Sequence, residues 1–468
     1  MVVRSLPMQA RLKGLAKKEL LQLLRGRQLV IFFLAQLVLA TASLALAARQ
    51  WQREAESAVL VRETNQRRLA GLTDWGALEK AGVILPPPVA AGRFLVAARS
   101  WPGFLVTGVE LPSAMGGAAG EDFAPPAKVL LLFCSLTALL LSFDAISGEK
   151  AQRTLGLLLS VTGSRRELLQ VKFLVRAAVV VGAVVISQLL AAAVTSLLVP
   201  EFTGDPTFWG VFLGLMVFCA AVSLLFVAVG FAASCLFPEP LVSLLAAIGA
   251  WVLLVIALPG FGEGVARALV PPPSRNLFEA QAASLYARNA QRMAEAIAEP
   301  LRRWVQEGPA LQRWFEEEAN RIRRELRGEL ARELAALFAG QLRAEARAAA
   351  ARDWAVGWLP TGLYEQAMLR LGGADAASWR SYLQAVVDYG QVLAKTVEKK
   401  AGSVQYVAVQ EEDPYSHSRP RLEEIPSFSA PPLFQDLASQ LPRLVAICLW
   451  GCFFSVVAVM AFKRVDPR

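Results

Sequence analysis

Apolar residues gather into long runs that alternate with polar segments of very unequal length. About 20 consecutive apolar residues suffice for a helix to cross the hydrocarbon core of a bilayer. The pattern predicts an all-α polytopic membrane protein with six transmembrane helices. The predicted spans are residues 29–48, residues 127–143, three helices within 177–258, and one helix in 442–468 that is followed by a cytoplasmic tail.

A basic amphipathic segment, residues 1–28, precedes the first span. Leu12, Leu15 and Leu20 fall on one face of a helix, whereas Lys13 and Lys17 stand beside that face. Such a helix lies in the plane of the membrane surface, where its cations attract anionic headgroups. We therefore expect an interfacial helix on the cytoplasmic leaflet.

Two polar inserts interrupt the series of spans. Residues 49–126 continue as a helix at first and then carry repeated Pro and Gly turn signals. Within this insert, 94–97 and 104–109 are either short strands or a loop that packs near the bilayer. Residues 259–441 form the larger insert, which we expect to be a helical extracytoplasmic domain.

Helical periodicity dominates the first half of the larger insert. Residues 276–306 and 309–354 predict two long antiparallel helices that turn near Gly308. In the second helix, an apolar stripe recurs at three- and four-residue spacing. We favour packing of this stripe within its own domain, and binding of a partner protein as a coiled coil is the alternative.

Charged residues crowd the short segment 144–176 between the second and third spans. At mid-bilayer each charge would cost roughly 2.5–3.5 kcal/mol, so the segment must face water. Its leucines recur at helical spacing and predict two short helices broken at Gly163 and Ser164. One side can rest on the membrane while a partner grips the other. Glu149 and Arg153 stand one turn apart and pair either with each other or with that partner.

Composition supports a membrane protein with sizeable aqueous parts. The 468 residues are 55% hydrophobic and 19% charged, with a mean hydropathy of +0.43. The formal charge is +9, and much of the excess of Lys and Arg lies beside the apolar runs. This is the positive-inside signature of membrane proteins rather than a nucleic-acid-binding surface. It places both termini in the cytoplasm and the inserts, 49–126 and 259–441, outside.

The residue types argue against enzymatic chemistry, and we predict no catalytic residue, no cofactor and no metal. All five cysteines lie in or at the end of apolar runs, which excludes a disulfide framework in the aqueous parts. The single histidine, His417, leaves no zinc cluster and no Ser-His-Asp set. A GxxxxGK[ST] phosphate loop is absent, so the chain cannot hydrolyse ATP by that route. Because the span interiors also lack the carboxylates of ion-coupled carriers, the driving force must come from elsewhere.

The segment 143–174 resembles the cytoplasmic loop of type-two ABC exporter permeases, whose pattern begins F-D-x-I-S-G-E. Departures from the pattern are Ala151, Arg153, Gly156 and Val171. They alter the helix ends and leave the rest of the pattern in place. The matching residues are Phe143, Asp144, Ile146, Ser147, Gly148, Glu149, Thr154, Leu155, Leu157, Leu158, Leu159, Ser160, Ser164, Arg165 and Lys172.

Later motifs extend the resemblance to a subgroup with a large extracytoplasmic insert before the last span. They lie at 359–375, 382–389, 425–428 and 462–468. The subgroup includes permeases similar to those of nitrous-oxide-reductase maturation and gliding motility. The long charged helices of 276–354 match no motif of the family.

The resemblance implies a permease subunit of an exporter in the bacterial cytoplasmic membrane, driven by a separate ABC ATPase. In the family, the loop after the second span docks in a groove of the ATPase, and two permease chains, as a homodimer or heterodimer, join two ATPases. The alternative is a non-transporting scaffold that relays ATPase motion to an extracytoplasmic partner. The ATPase-coupling residues that the resemblance implies are Asp144, Gly148, Glu149, Arg153, Thr154, Leu155, Arg165 and Lys172.

Overall fold

Helices carry most of the regular structure. The computed structural model describes residues 8–72, 75–97, 103–107, 113–115, 124–162, 164–404, 420–432 and 436–463. Gly163, His417 and the tail 464–468 lie outside these ranges. The helices are α1 Met8–Arg25, α2 Arg27–Ala70, α3 Trp75–Ala81, α4 Ala91–Phe94, α5 Pro126–Leu140, α6 Ser147–Ala151, α7 Leu155–Thr162, α8 Arg165–Leu198, α9 Pro200–Gly204, α10 Pro206–Leu236, α11 Pro240–Val252, α12 Leu258–Leu269, α13 Arg275–Glu307, α14 Gln312–Val356, α15 Pro360–Leu371, α16 Ala376–Val404 and α17 Leu441–Lys463.

Within the described residues, five helices are long and apolar enough to cross a membrane. The fourth of them joins α11 to α12 through a π-helical turn, Leu253–Ala257. In place of the second predicted span stands α5, which has only 15 residues. At 1.5 Å per residue it measures about 22 Å, less than the roughly 30 Å of a hydrocarbon core. These five candidate spans are Arg27–Ala70, Arg165–Leu198, Pro206–Leu236, Pro240–Leu269 and Leu437–Lys463.

Two helices extend beyond the apolar runs that they contain. The helix of the first span continues into the first insert, as the sequence predicts: α2 has 44 residues in all and ends at Ala70. In segment 144–176, the prediction of two short helices is wrong. The segment forms the short helices α6 and α7, and then α8, which starts at Arg165 and continues through the third span. The predicted break is present, since Ser164 caps the N-terminus of α8 by accepting from the backbone N–H of Glu167.

The most deeply buried span, α10, forms the centre of the membrane part. It packs against α5, α8, α11 and α17. A close approach between α5 and α10 depends on Gly230, where an added Cβ would meet the Ser142 hydroxyl and would lie 3.0 Å from the Leu139 carbonyl. The short helix α5 is therefore enclosed by its neighbours rather than exposed along its length.

A small antiparallel sheet breaks the all-α character in the first insert. It consists of β1 Val83–Leu85, β2 Gly103–Val106 and β3 Ser113–Met115, in the order β1-β2-β3. Val83 pairs with Val106, and Gly103 pairs with Met115. A strand at 104–109 is thus confirmed as far as Val106. A strand at 94–97 is wrong, because these residues form the end of α4 and the turn after it.

The two inserts share one hydrophobic core, although residues 127–258 separate them in sequence. Trp75, Leu78 and Phe104 of the first insert are buried together with Tyr382 and Leu393 of the second. The Phe104 and Tyr382 rings lie 6.0 Å apart, centroid to centroid. Burial of these aromatic side chains makes the two inserts a single packed unit.

The helices α13 and α14 form a long hairpin, which we call the arm. The predicted antiparallel pair and its turn are confirmed, with Gly308 at a φ of +82° between the helices. Ring pairs join the helices near both ends of α13, where Phe278 contacts Phe338 and Trp304 stacks on Phe315. Helix α12 continues this packing along the last turns of α14. The apolar stripe of α14 therefore packs within its own domain.

Candidate coupling site

Segment 144–176 is attached to the membrane helices through the C-terminal end of α10. The backbone N–H groups of Ile146 and Ser147 donate to the Ser234 hydroxyl at 2.7 and 2.9 Å. The Lys150 ammonium donates to the Cys235 carbonyl at 2.8 Å. A cation at this position satisfies carbonyls that the end of a helix leaves without partners. Helix α6 is consequently fixed to α10 and is not a free loop.

Lys172 and Arg176 lie one turn apart on α8 and both bind Glu19 of α1. The Lys172 ammonium is 3.2 Å from the Glu19 carboxylate, and the Arg176 guanidinium is 2.9 Å from it. Lys172 also binds Glu149 at 3.1 Å, and Arg176 binds Asp144 at 2.6 Å. We call these five residues the ion network.

Backbone carbonyls complete the coordination of the two cations. Lys172 donates to the Ala145 carbonyl at 3.0 Å, and Arg176 donates to the Leu141 carbonyl at 2.8 Å. The side chains of Lys172, Arg176 and Glu19 are almost fully buried. Buried charges are tolerated only when they are paired and hydrogen-bonded in this way. The ion network therefore holds α1, α6 and α8 in one arrangement.

Glu149 is paired within the protein rather than with Arg153. Besides Lys172, the Glu149 carboxylate accepts a hydrogen bond from the Thr154 hydroxyl. Burial by itself would raise the pKa of Glu149, but the Thr154 hydroxyl and the Lys172 ammonium together lower it below its ordinary value. Arg153 is exposed and has a φ of +57°, a left-handed conformation that turns the chain between α6 and α7.

Of the eight predicted coupling residues, five belong to the ion network, bind it or are buried beside it, and three lie further out. Asp144, Glu149 and Lys172 belong to the ion network, and Thr154 binds Glu149. Leu155 is buried in an apolar cluster beneath α7. The rest lie around this centre: Gly148 is in α6, Arg153 is exposed, and Arg165 donates to the Lys463 carbonyl at 3.1 Å.

Sequence reasoning missed Glu19, Arg176 and the position of Leu157. Two weak signals were present, since Glu19 is the only acid between residues 8 and 25 and Arg176 is the last charge before the third apolar run. Leu157 is 68% exposed, whereas Leu155 and Leu158 on either side of it are buried. The outward face of α7 thus combines Leu157 with Gly156 and Ser160, next to Arg153.

The fold and the site together describe a membrane protein of long apolar helices with a compact, water-facing structure built on the ends of its spans. The chain belongs to the ABC-2 family transporter proteins, whose family model matches residues 14–301, more than half of its length. Members of this family are membrane permease subunits for transport rather than enzymes, and membership implies an ABC ATPase partner. No curated protein matches the chain.

Proposed function

We propose that this chain is the permease subunit of an ATP-driven exporter and that segment 144–176 is where its ATPase docks. The observation that carries the proposal is the division of the segment into two sides. The inner side is fastened to α1, α8 and α10 by the ion network and by Lys150. The outer side presents Leu157 to water beside Arg153.

This division suits the transmission of motion from a soluble partner to the membrane. Helix α8 is continuous from Arg165 to Leu198, so displacement of its N-terminal end moves the span itself. Helix α6 rests on the end of α10, the central span. Because the ion network joins these elements, a partner that moves α7 would displace two spans together.

We further propose six spans, with α5 as the second, and both termini in the cytoplasm of a bacterial cell. The inserts then lie outside, which places the chain in the subgroup with a large insert before the last span. Aromatic rings at the base of the arm support a position near a membrane interface, which Trp residues favour on either side, and the side itself is proposed from the charges that flank the spans. The Trp358 ring stacks on the Trp450 ring of α17, with ring centroids 6.4 Å apart, and Trp354, one turn earlier in sequence, is exposed. The working transporter would contain two permease chains and two ATPases.

A change at Leu157 tests the docking surface. We expect Leu157→Glu to lower recovery of the co-expressed ATPase with the tagged permease at least roughly tenfold, because a carboxylate would enter an apolar contact. Val305→Glu in the arm is the matched control, since Val305 is 69% exposed but lies in the insert that we place outside. Undiminished recovery with Leu157→Glu would remove α7 from the interface.

Thiol labelling tests the topology. In a variant without the native cysteines, Ser57→Cys and Ser284→Cys are expected to react with an impermeant maleimide added to intact cells. Ser160→Cys is expected to react only after the membrane is permeabilised. All three serines are exposed, so access to the reagent rather than burial decides the result. Labelling of position 160 in intact cells would reverse the proposed orientation.

The arm favours a second candidate function, a relay of ATPase motion to a partner outside the membrane. The span Pro240–Leu269 continues into the packing of the arm, where Glu263 binds Arg352 of α14 at 2.7 Å. At 1.5 Å per residue, the 45 residues of α14 reach about 68 Å. A reconstituted complex that hydrolyses ATP but moves no candidate amphiphile across liposomes would favour the relay over export.

A further inference from the structure

We propose that α1 holds an anionic phospholipid in a basic groove and that this lipid stabilises the ion network. The proposal rests on the cytoplasmic placement of α1 in the proposed function. It adds a ligand site to the coupling region and names the chemistry that fills it.

Helix α1 has two faces with different partners. On one face, Leu15 and Glu19 are buried, and Glu19 binds both cations of α8. On the other face, a shallow groove of about 640 Å³ is lined by Lys17, Lys18 and Arg25. These three side chains are exposed, and no acidic residue is among those that line the groove in the described part of the chain. The groove therefore has the charge that attracts a phosphate.

Apolar side chains next to the groove indicate a lipid rather than free phosphate. Leu21 lines the groove, and Leu20 and Leu24 are also exposed on the same helix. Gly26 ends α1, and the first span begins immediately after it. The groove thus lies at the level where headgroups meet acyl chains, and a phospholipid can satisfy its cations and its leucines at once.

The groove is joined to the ion network through neighbouring residues of α1. Lys18 lines the groove, and its positive charge also stabilises the ionised carboxylate of Glu149. Glu19, the next residue, is the carboxylate that Lys172 and Arg176 share. A phosphate bound beside Lys18 would hold α1 against the membrane surface and so keep Glu19 in place.

Lipid retention by the purified full chain tests the site. The probe is phosphatidylglycerol, with phosphatidylcholine and inorganic phosphate as comparisons, and bound lipid is counted by native mass spectrometry. Near an anionic surface each basic residue contributes about a factor of five to binding. We expect the variant K17Q/K18Q/R25Q to retain phosphatidylglycerol at least roughly tenfold less well. We also expect phosphatidylglycerol to raise the melting temperature of the wild type but not of this variant.

Three further variants keep the result decisive. The variant R313Q/R332Q/R347Q removes the same charge from exposed positions of α14 and should retain the lipid normally. The conservative variant K17R/K18R/R25K should also retain it, which separates loss of charge from loss of fold. Leu157→Glu should lose the ATPase but keep the lipid, so failure of the docking proposal and failure of this one are distinguishable.

Several outcomes would overturn the proposal. Equal retention by K17Q/K18Q/R25Q and by the arm variant would show that the groove does not select the lipid. A melting shift reproduced by inorganic phosphate would show that the acyl chains are irrelevant. Displacement of phosphatidylglycerol by added ATPase, together with loss of the ATPase from K17Q/K18Q/R25Q, would assign the groove to the protein partner instead.

Discussion

Lys172 in the ion network and Arg292 in the arm each bind two carboxylates from other parts of the chain, in very different surroundings. The Lys172 side chain is 2% exposed, and its ammonium lies 3.2 and 3.1 Å from Glu19 and Glu149. The Arg292 side chain is 53% exposed, and its guanidinium lies 4.0 and 3.7 Å from two acids of α14, Glu329 and Glu333. The two cations therefore differ in how far their side chains are exposed to water.

The difference shows that burial determines the energetic role of a charge. In the arm, water screens the pairs, and the helices are joined mainly by their apolar stripe and ring contacts. In the ion network, removal of one charge takes an opposite charge away from a buried partner, in a place that water cannot reach. We therefore expect the ion network to be sensitive to single substitutions.

The largest expected effect is at Lys172. We expect Lys172→Met to destabilise the protein by about 3–5 kcal/mol, because Glu149 and Glu19 lose a buried partner. The matched change Arg292→Met is expected to cost within about 0.5 kcal/mol, since its pairs are exposed. Thermal unfolding of the detergent-solubilised chain measures both.

A double variant sharpens this comparison. Lys172→Met combined with Glu149→Gln should recover part of the lost stability, because Glu19 keeps Arg176 as a partner and the second change removes the carboxylate that loses its ion pair. Similar losses for Lys172→Met and Arg292→Met would contradict the distinction between the two regions. Glu149→Lys would place a cation beside Lys172 and disrupt the ion network. Reduced ATPase binding by such a variant would therefore reflect a structural change rather than loss of a direct contact with the ATPase.

Substitution of two glycines is expected to give the next largest changes in stability. Gly230→Ala is expected to destabilise by about 1–3 kcal/mol, because the added methyl group would meet the buried Ser142 hydroxyl at the crossing of α5 and α10. Gly340→Ala in the arm has open space around it and should instead stabilise by about 0.5–1 kcal/mol through helix propensity. The same unfolding measurement should show shifts of opposite sign, and a gain from Gly230→Ala would argue against tight packing there.

The smallest expected effect is a difference in pH dependence. The pKa of Glu149 is lowered in the folded protein, so its contribution to stability is complete above the unfolded pKa and is lost as the pH falls through the folded pKa. Glu149→Gln should therefore flatten the acid side of the stability profile. An unchanged slope in this variant would show that Glu149 does not contribute.

In the arm, Glu345 is expected to change stability with pH in the opposite direction. Burial raises the pKa of Glu345 in α14, and hydrogen bonding to Gln341 only partly offsets this effect. Protonation of Glu345 is then favoured by folding, so stability gains as the pH falls through its raised pKa. Glu345→Gln should remove this gain in stability at low pH. Glu149→Gln should instead remove part of the loss of stability at low pH. Melting temperatures measured between neutral pH and the acid limit of the detergent complex distinguish the two slopes.

Much of this molecule follows from local sequence patterns. Runs of apolar residues predicted the long spans, because a bilayer demands continuous apolar helices. The repeat of Phe315, Leu326, Leu330 and Leu334 predicted α14, since helical geometry returns such residues to one face. The charge density of 144–176 likewise predicts a segment outside the hydrocarbon core, which stays a prediction. Each of these properties depends on neighbours within a few turns of helix.

Only the tertiary structure decided which distant charges and surfaces meet. Glu19 and Arg176 are 157 positions apart, and nothing local in either segment specifies the other. The shared core of the two inserts and the enclosure of the short helix α5 depend in the same way on packing across the chain. Exposure followed the same rule: Leu157 faces water and Leu155 does not, although both are leucines of one short helix. Local periodicity specifies the faces of a helix, whereas the choice of the buried face depends on the elements packed against it.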